Sequence, residues 1–163
     1  MTRKNLSRMV HFVIILLVIA PILYVALLTF QGNAQGLGLL ENLTTNVSTV
    51  ISLMSVCILP FAGFLIKSKW DQIDQTQNSL GHFYISLLLI LIGFLLIGNT
   101  GMAILIFILI AFSVMILKVR LGDAFQVLFK SPKHNISHFA GEMTMLLIAA
   151  FIRFAIWRIS TGS

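Results

Sequence analysis

The feature that most constrains this chain is a series of long apolar runs separated by short polar connectors. A helix needs about 17–25 mostly apolar residues to span the roughly 30 Å hydrocarbon core of a bilayer. Five runs approach or reach that length. We expect helices at about 10–30, 47–66, 83–98, 102–117 and 132–158. The third and fourth runs are short, but one helix through both would overshoot the bilayer, so Asn99-Thr100-Gly101 is predicted to form a tight turn.

The composition indicates that most of the protein surface faces the hydrocarbon core of a membrane. The chain has 163 residues, of which 58% are hydrophobic and 10% are charged, whereas soluble domains carry about 25% charged residues. Too few charges are present to cover a surface that faces water. The sequence therefore predicts one all-α integral membrane domain over residues 1–163, a bundle of about five transmembrane helices, or four if the last is interfacial.

The fifth run is distinguished by two charged residues, Glu142 and Arg153. Charges inside a membrane span are costly and usually face other helices or water. The two residues share one helical face but lie about 16 Å apart along the axis at 1.5 Å per residue, so they cannot pair directly. We predict a fifth transmembrane helix whose possible intramembrane charges find partners elsewhere or reach the interface.

The basic residues predict the orientation. Lys and Arg residues near membrane helices are enriched on the cytoplasmic side. The connectors after the first and third runs carry none, whereas the alternate segments do, which predicts a cytoplasmic N-terminus in a cell membrane, most plausibly the bacterial inner membrane. Arg153 and Arg158 are the exception to this pattern. The basic residues of the alternate segments are Arg3, Lys4 and Arg8, then Lys67 and Lys69, then Lys118, Arg120, Lys130 and Lys133.

The first 34 residues also resemble a secretory signal peptide, with Gly32-Asn33-Ala34 as a small-x-small cleavage site. The apolar run is about 20 residues, which is longer than the 7–15 residues of a signal h-region and suits a permanent span. We expect this segment to be retained as the first helix.

Small and hydroxyl side chains form a stripe along the second run when it is drawn as one helix. Small residues let helix backbones approach, and hydroxyl groups can form hydrogen bonds across the contact. We predict helix packing for this stripe; a pore lining is the alternative. Its members are Thr45, Ser48, Ser52, Ser55 and Gly63.

Three residues near the start of the fifth run, His134, His138 and Glu142, could bind a metal ion, because neighbouring pairs at i and i+4 can chelate zinc. The outer two lie about 12 Å apart on a continuous helix, which is too far for one ion. The sequence contains no nucleophile–base motif and no glycine-rich phosphate loop. Histidines at headgroup depth are the favoured interpretation, and no cofactor is expected.

Residues 35–98 resemble a known group of membrane proteins. Gly36-Leu37-Gly38, the helix around Ser52 and Gly63, the loop from Lys67 to Gln77 and the helix around Gly93 resemble small inner-membrane and pilin-like subunits of type IV secretion systems, Dot/Icm-like or conjugative. The chain departs from such pilins in its two further apolar runs. The resemblance therefore implies an inner-membrane complex subunit rather than a pilus-building one.

The sequence predicts a non-catalytic, multi-pass membrane subunit of a larger assembly, most plausibly for transport or secretion. The expected partners are the lipid bilayer and other membrane subunits or further copies of the chain, and no nucleic acid. One alternative is a regulatory or toxin-immunity membrane protein. The other is a metal-dependent membrane enzyme that uses His134, His138 and Glu142.

Overall fold

A computed structural model describes residues 3–34, 47–73, 78–117 and 139–161. The described residues form helices and contain no strand. Five stretches are long and apolar enough to cross a membrane. The helices are α1 (Arg3–Ala34), α2 (Val47–Cys57), α3 (Leu59–Gln72), α4 (Asn78–Ile97), α5 (Thr100–Leu117) and α6 (Ala140–Thr161).

The second predicted helix is two helices, α2 and α3, with a break at Ile58. Pro60 lies at the start of α3. A proline has no N–H to bond the carbonyl four residues earlier, and its ring clashes with that carbonyl. The backbone resumes helical bonding when Ala62 donates to the carbonyl of Ile58 at 3.1 Å. Together the two helices supply one candidate span, Thr49–Gln72.

The turn between α4 and α5 ends one helix and begins the next. Gly98 has a φ of 83°, and its N–H and that of Asn99 bond the carbonyls of Leu95 and Phe94 at 3.1 and 2.9 Å, a Schellman motif. The Asn99 side chain then accepts from the N–H of Met102 at 3.3 Å and caps α5. The turn predicted here is present, but its left-handed glycine is Gly98, one residue before the predicted segment.

The other helix boundaries differ from the predicted ones. The first helix extends from Arg3 to Ala34 because the basic and polar residues before its apolar run continue the helix, and Pro21 lies inside it. The last helix is described from Ala140 onward, and residues 132–138 of its predicted range lie outside the described residues.

The helices pack around a shared apolar core. The most extensive contacts join α1 with α3, α4 with α6, and α4 with α5. Large side chains fill the interior, including Phe83, Phe94, Leu17, Ile66 and Met145, all below 2% exposed. Much of the remaining apolar surface points outward, especially from α1, α5 and α6.

A neighbouring helix packs closely against the backbone at two glycines, Gly63 and Gly93. A Cβ added to Gly63 of α3 would lie 3.4 Å from the Cβ of Leu17 in α1. A Cβ added to Gly93 of α4 would lie 3.1 Å from Cε of Met145 in α6. A side chain larger than alanine at Gly63 would press against α1, and a side chain at Gly93 would require the end of Met145 to move.

Candidate functional site

One end of the bundle, which we call the basic end, contains the starts of α1, α4 and α6 and the end of α3. A cleft there is lined by Arg3 and Ser7 of α1 together with Trp70 of α3. The Trp70 ring meets the Phe83 ring of α4 with centroids 5.5 Å apart. These contacts bring residues distant in sequence together in one layer.

Lys69 and Phe139 form the centre of this layer. Lys69 is only 6% exposed, and its Nζ lies 5.2 Å from the centroid of the Phe139 ring. The His82 ring lies on the same aromatic side chain, with centroids 5.6 Å apart. A cation over an aromatic face is attracted by the negative face of the ring, which stabilises a buried lysine.

The most buried acidic group, Glu142, lies one turn further into the bundle. It is 1% exposed, and its Oε1 accepts a hydrogen bond from the Ser86 hydroxyl of α4 at 2.6 Å. Its Oε2 has no hydrogen-bond partner among the described residues. Glu142 lies in the first turn of α6, where the helix dipole favours an acidic side chain. The pair joins α4 to α6 through a polar contact inside an apolar core.

Arg153, the second predicted intramembrane charge, lies in a different environment. It is exposed, as are Phe151, Phe154 and Trp157 on the same part of α6. The structure therefore separates the two charges: Glu142 faces α4 inside the bundle, and Arg153 faces the surroundings.

The predicted small-residue stripe lies only partly within the described residues. Gly63 packs against α1, as the residue type suggests. Ser52 and Ser55 are half-buried, and the Ser55 hydroxyl donates to the carbonyl of Ile51 in its own helix at 2.8 Å. Thr45 and the side chain of Ser48 lie outside the described residues. Ser52 and Ser55 lie in α2 and Gly63 in α3, on either side of Ile58.

The set of predicted metal ligands lies only partly in the part of the chain that the structure describes. His134 and His138 lie outside it. Within it, no group of three His, Cys, Asp or Glu side chains is placed to hold a metal ion. The third residue of the set, Glu142, has Ser86 as its hydrogen-bond donor.

Sequence reasoning missed several interior residues, chiefly Lys69, Ser86 and Tyr84. Ser86 interrupts the apolar run of α4, so its polarity was a usable signal. The Tyr84 hydroxyl is buried and has no hydrogen-bond partner among the described residues. The sequence places Lys69 in a connector between apolar runs, and only the helix packing shows that its side chain is buried.

Comparison with known proteins adds no further constraint, because the chain matches no protein-family model, no curated protein and no solved structure.

Proposed function

We propose that this chain is a multi-pass integral membrane protein that acts as a non-catalytic subunit of a larger membrane assembly, with the basic end in the cytoplasm. Five helices of sufficient length and apolarity support the membrane location. The alternation of basic connectors supports the orientation. The resemblance of residues 35–98 to secretion-system subunits favours transport or secretion machinery as the assembly.

The packed interior supports a structural role for a single copy. Side chains such as Phe83, Phe94 and Ile66 are fully buried between the helices. A solute path through one bundle would require displacing them from contacts made at close to crystal density. A transport path would therefore form more readily between this chain and its partner subunits than through a single bundle.

Arg153 is the observation that carries the proposal. It is exposed within the candidate span Ala140–Ile159, among exposed apolar side chains. An arginine near the centre of a membrane helix costs about 2.5–3.5 kcal/mol on insertion scales, so such residues usually face a polar partner. The acidic residues that the structure describes are Asp71, near the end of α3, and Glu142, which is buried in the core.

We therefore expect a carboxylate from another polypeptide to neutralise Arg153. A second copy of this chain is the less suitable partner, because the exposed acidic residue that the structure describes, Asp71, lies at the basic end of the span Thr49–Gln72, whereas Arg153 lies about 20 Å along α6 from that end at 1.5 Å per residue. A different subunit with an acidic residue in a transmembrane helix fits this charge.

The test uses the full tagged chain, extracted from its native host in mild detergent and sized on native gels. A photo-crosslinking residue at Phe154 identifies the neighbouring polypeptide. We expect Arg153→Leu to release the chain from its complex and Arg153→Lys to retain it. Arg153→Glu should be rescued by the reciprocal acid-to-lysine change in the crosslinked partner.

Two controls make the test specific. Arg158→Leu removes the same charge from an exposed position nearer the end of α6 and should leave the complex intact. Glu41→Gln tests pairing within the chain, because Glu41 lies outside the described residues. An unchanged complex in Arg153→Leu, or loss of the complex with Glu41→Gln, would refute the inter-subunit pairing.

A further inference from the structure

Two concavities along α1 have complementary chemistry. The first is the cleft at the basic end, about 410 Å³, lined by Arg3, Lys4 and Ser7 of α1 and by Trp70 and Ile73 of α3. Arg3 and Lys4 are exposed, and Ile73 is buried behind them. The second is an apolar groove between α1 and α5.

The groove has a volume of about 520 Å³ and is bounded by apolar and aromatic side chains of α1 and by Met102 of α5. It runs from Phe12 to Leu27, about 22 Å at 1.5 Å per residue. An acyl chain crosses one leaflet, about 15 Å or half of the ~30 Å hydrocarbon core. The groove is thus long enough to hold an acyl chain along its length.

The basic side chains and the groove share one face of α1. Lys4, Arg8, Phe12, Ile15 and Ile19 follow each other at spacings of four, four, three and four residues, which places them along one stripe of a helix. Lys4 and Arg8 are exposed. Arg8 stands one turn before Phe12, about 6 Å along the axis.

Trp70 places this cleft at the depth of a headgroup. Indole rings are enriched at membrane–water interfaces, because one part of the ring system is apolar and the N–H is polar. Lysine and arginine donate charge-assisted hydrogen bonds to phosphate oxygens, and arginine does so with two donors at once. Asp71, beside Trp70, is the exposed acidic residue described at this end, where Glu142 is buried, and Lys67 is exposed on the same helix as Asp71.

We propose that this face of α1 binds one anionic glycerophospholipid, with its phosphate at Lys4 and Arg8 beside the cleft and one acyl chain in the groove. A zwitterionic phospholipid carries a compensating cation in its headgroup and has less to gain from these side chains. The site goes beyond assembly with other subunits but depends on the membrane location.

The test measures lipid retention by the full chain with native mass spectrometry, from micelles that contain equal phosphatidylglycerol and phosphatidylcholine. We expect selective retention of one phosphatidylglycerol. Each basic residue near a membrane surface contributes about 1 kcal/mol toward anionic lipid. Lys4→Gln with Arg8→Gln should therefore lower the relative affinity about thirtyfold, equivalent to about 2 kcal/mol.

The matched control is Lys67→Gln with Arg158→Gln, which removes two exposed charges away from the cleft and the groove and should keep the selectivity. Ala20→Phe, which fills the groove, should weaken retention while Lys4 and Arg8 are present. Equal loss in the control pair, or unchanged retention in Lys4→Gln with Arg8→Gln, would overturn the site.

Two further measurements complete the test. The first distinguishes a lipid phosphate from a free phosphate, and the second tests the membrane location by itself. If inorganic phosphate or water-soluble glycerophosphoglycerol displaces the lipid at equal concentration, the site binds a free anion and the lipid assignment is wrong. Flotation of the chain with washed phosphatidylcholine vesicles tests membrane location alone. A chain that stays out of the vesicles overturns that location, and the lipid site that depends on it, before the charges are tested.

Discussion

The buried hydrogen bond between Ser86 and Glu142 leads to a quantitative prediction. Ser86→Ala removes the hydroxyl that donates to Oε1 at 2.6 Å, and Oε2 already has no described partner. Both carboxyl oxygens would then be buried without a donor. Leaving a buried polar group unsatisfied costs about 1–3 kcal/mol, whereas interhelical hydrogen bonds in membranes average about 0.6 and reach about 1.7 kcal/mol.

We expect the hydrogen bond between Ser86 and Glu142 to contribute a free energy near the upper end of the range for interhelical hydrogen bonds in membranes. Glu142 is 1% exposed, so water cannot easily replace the lost donor. Glu142→Met keeps a side chain of similar length and removes the carboxyl group, so Ser86→Ala should cost less in that background. The predicted coupling free energy between the two substitutions is about 1–1.7 kcal/mol.

The assay is a double-mutant cycle on reversible unfolding of the full chain in mixed micelles, followed by circular dichroism as SDS is increased. Ser113→Ala is the matched control: Ser113 is also buried, but its hydroxyl donates to the carbonyl of Leu109 in its own helix at 2.7 Å. That substitution should cost less than about 0.5 kcal/mol, because the carbonyl is a helical acceptor. Coupling below about 0.3 kcal/mol between Ser86 and Glu142 would refute the reasoning.

Substitutions at four glycines test the packing and the turn in the same unfolding assay. Gly63→Ala should be tolerated at 3.4 Å from the Leu17 Cβ, whereas Gly63→Val should cost about 1–3 kcal/mol and be relieved by Leu17→Ala. Gly98→Ala should cost about 1–2 kcal/mol because its φ is 83°, while Gly101→Ala, in open space within α5, should be neutral or stabilising. Gly141→Ala would place a Cβ 2.5 Å from Cδ2 of Leu65 and should cost about 1 kcal/mol or more until that leucine is shortened; an equal cost with alanine at that position would contradict the contact.

The number of apolar helices was predictable from sequence. The length of each apolar run can be read directly from the residues and compared with the length needed to span a bilayer. The break at Ile58 was missed although its cause, Pro60, is visible in the sequence. The partner of Glu142 could not be predicted, because Ser86 lies 56 residues away and meets it only through the packing of α4 on α6.

The face of each helix that points inward was harder to predict from sequence than the position of the helix along the chain, and the reason is physical. In a water-soluble helix, polar residues mark the outside and apolar residues the inside. The sequence of α5 is apolar almost all round, so Leu109, which is fully buried, and Phe107, which is 61% exposed, look alike in the sequence. Lipid tails are as apolar as the protein core. The free energy of a leucine side chain therefore differs little between the two, and leucines do not determine which face of a helix points inward.

Small and polar residues determine instead which face of a helix contacts its neighbours. A glycine lets a neighbouring helix approach, and a carboxyl or hydroxyl group needs a hydrogen-bond partner that lipid cannot supply. Gly63 and Gly93 lie at helix contacts, and Glu142 finds Ser86 across one. Arg153 is exposed on α6, and under the proposal made above we expect its partner to come from outside the described bundle. The residues that are rare in these runs therefore carry the information about contacts, and that is why one arginine supports the assembly proposal more strongly than all the apolar surface around it.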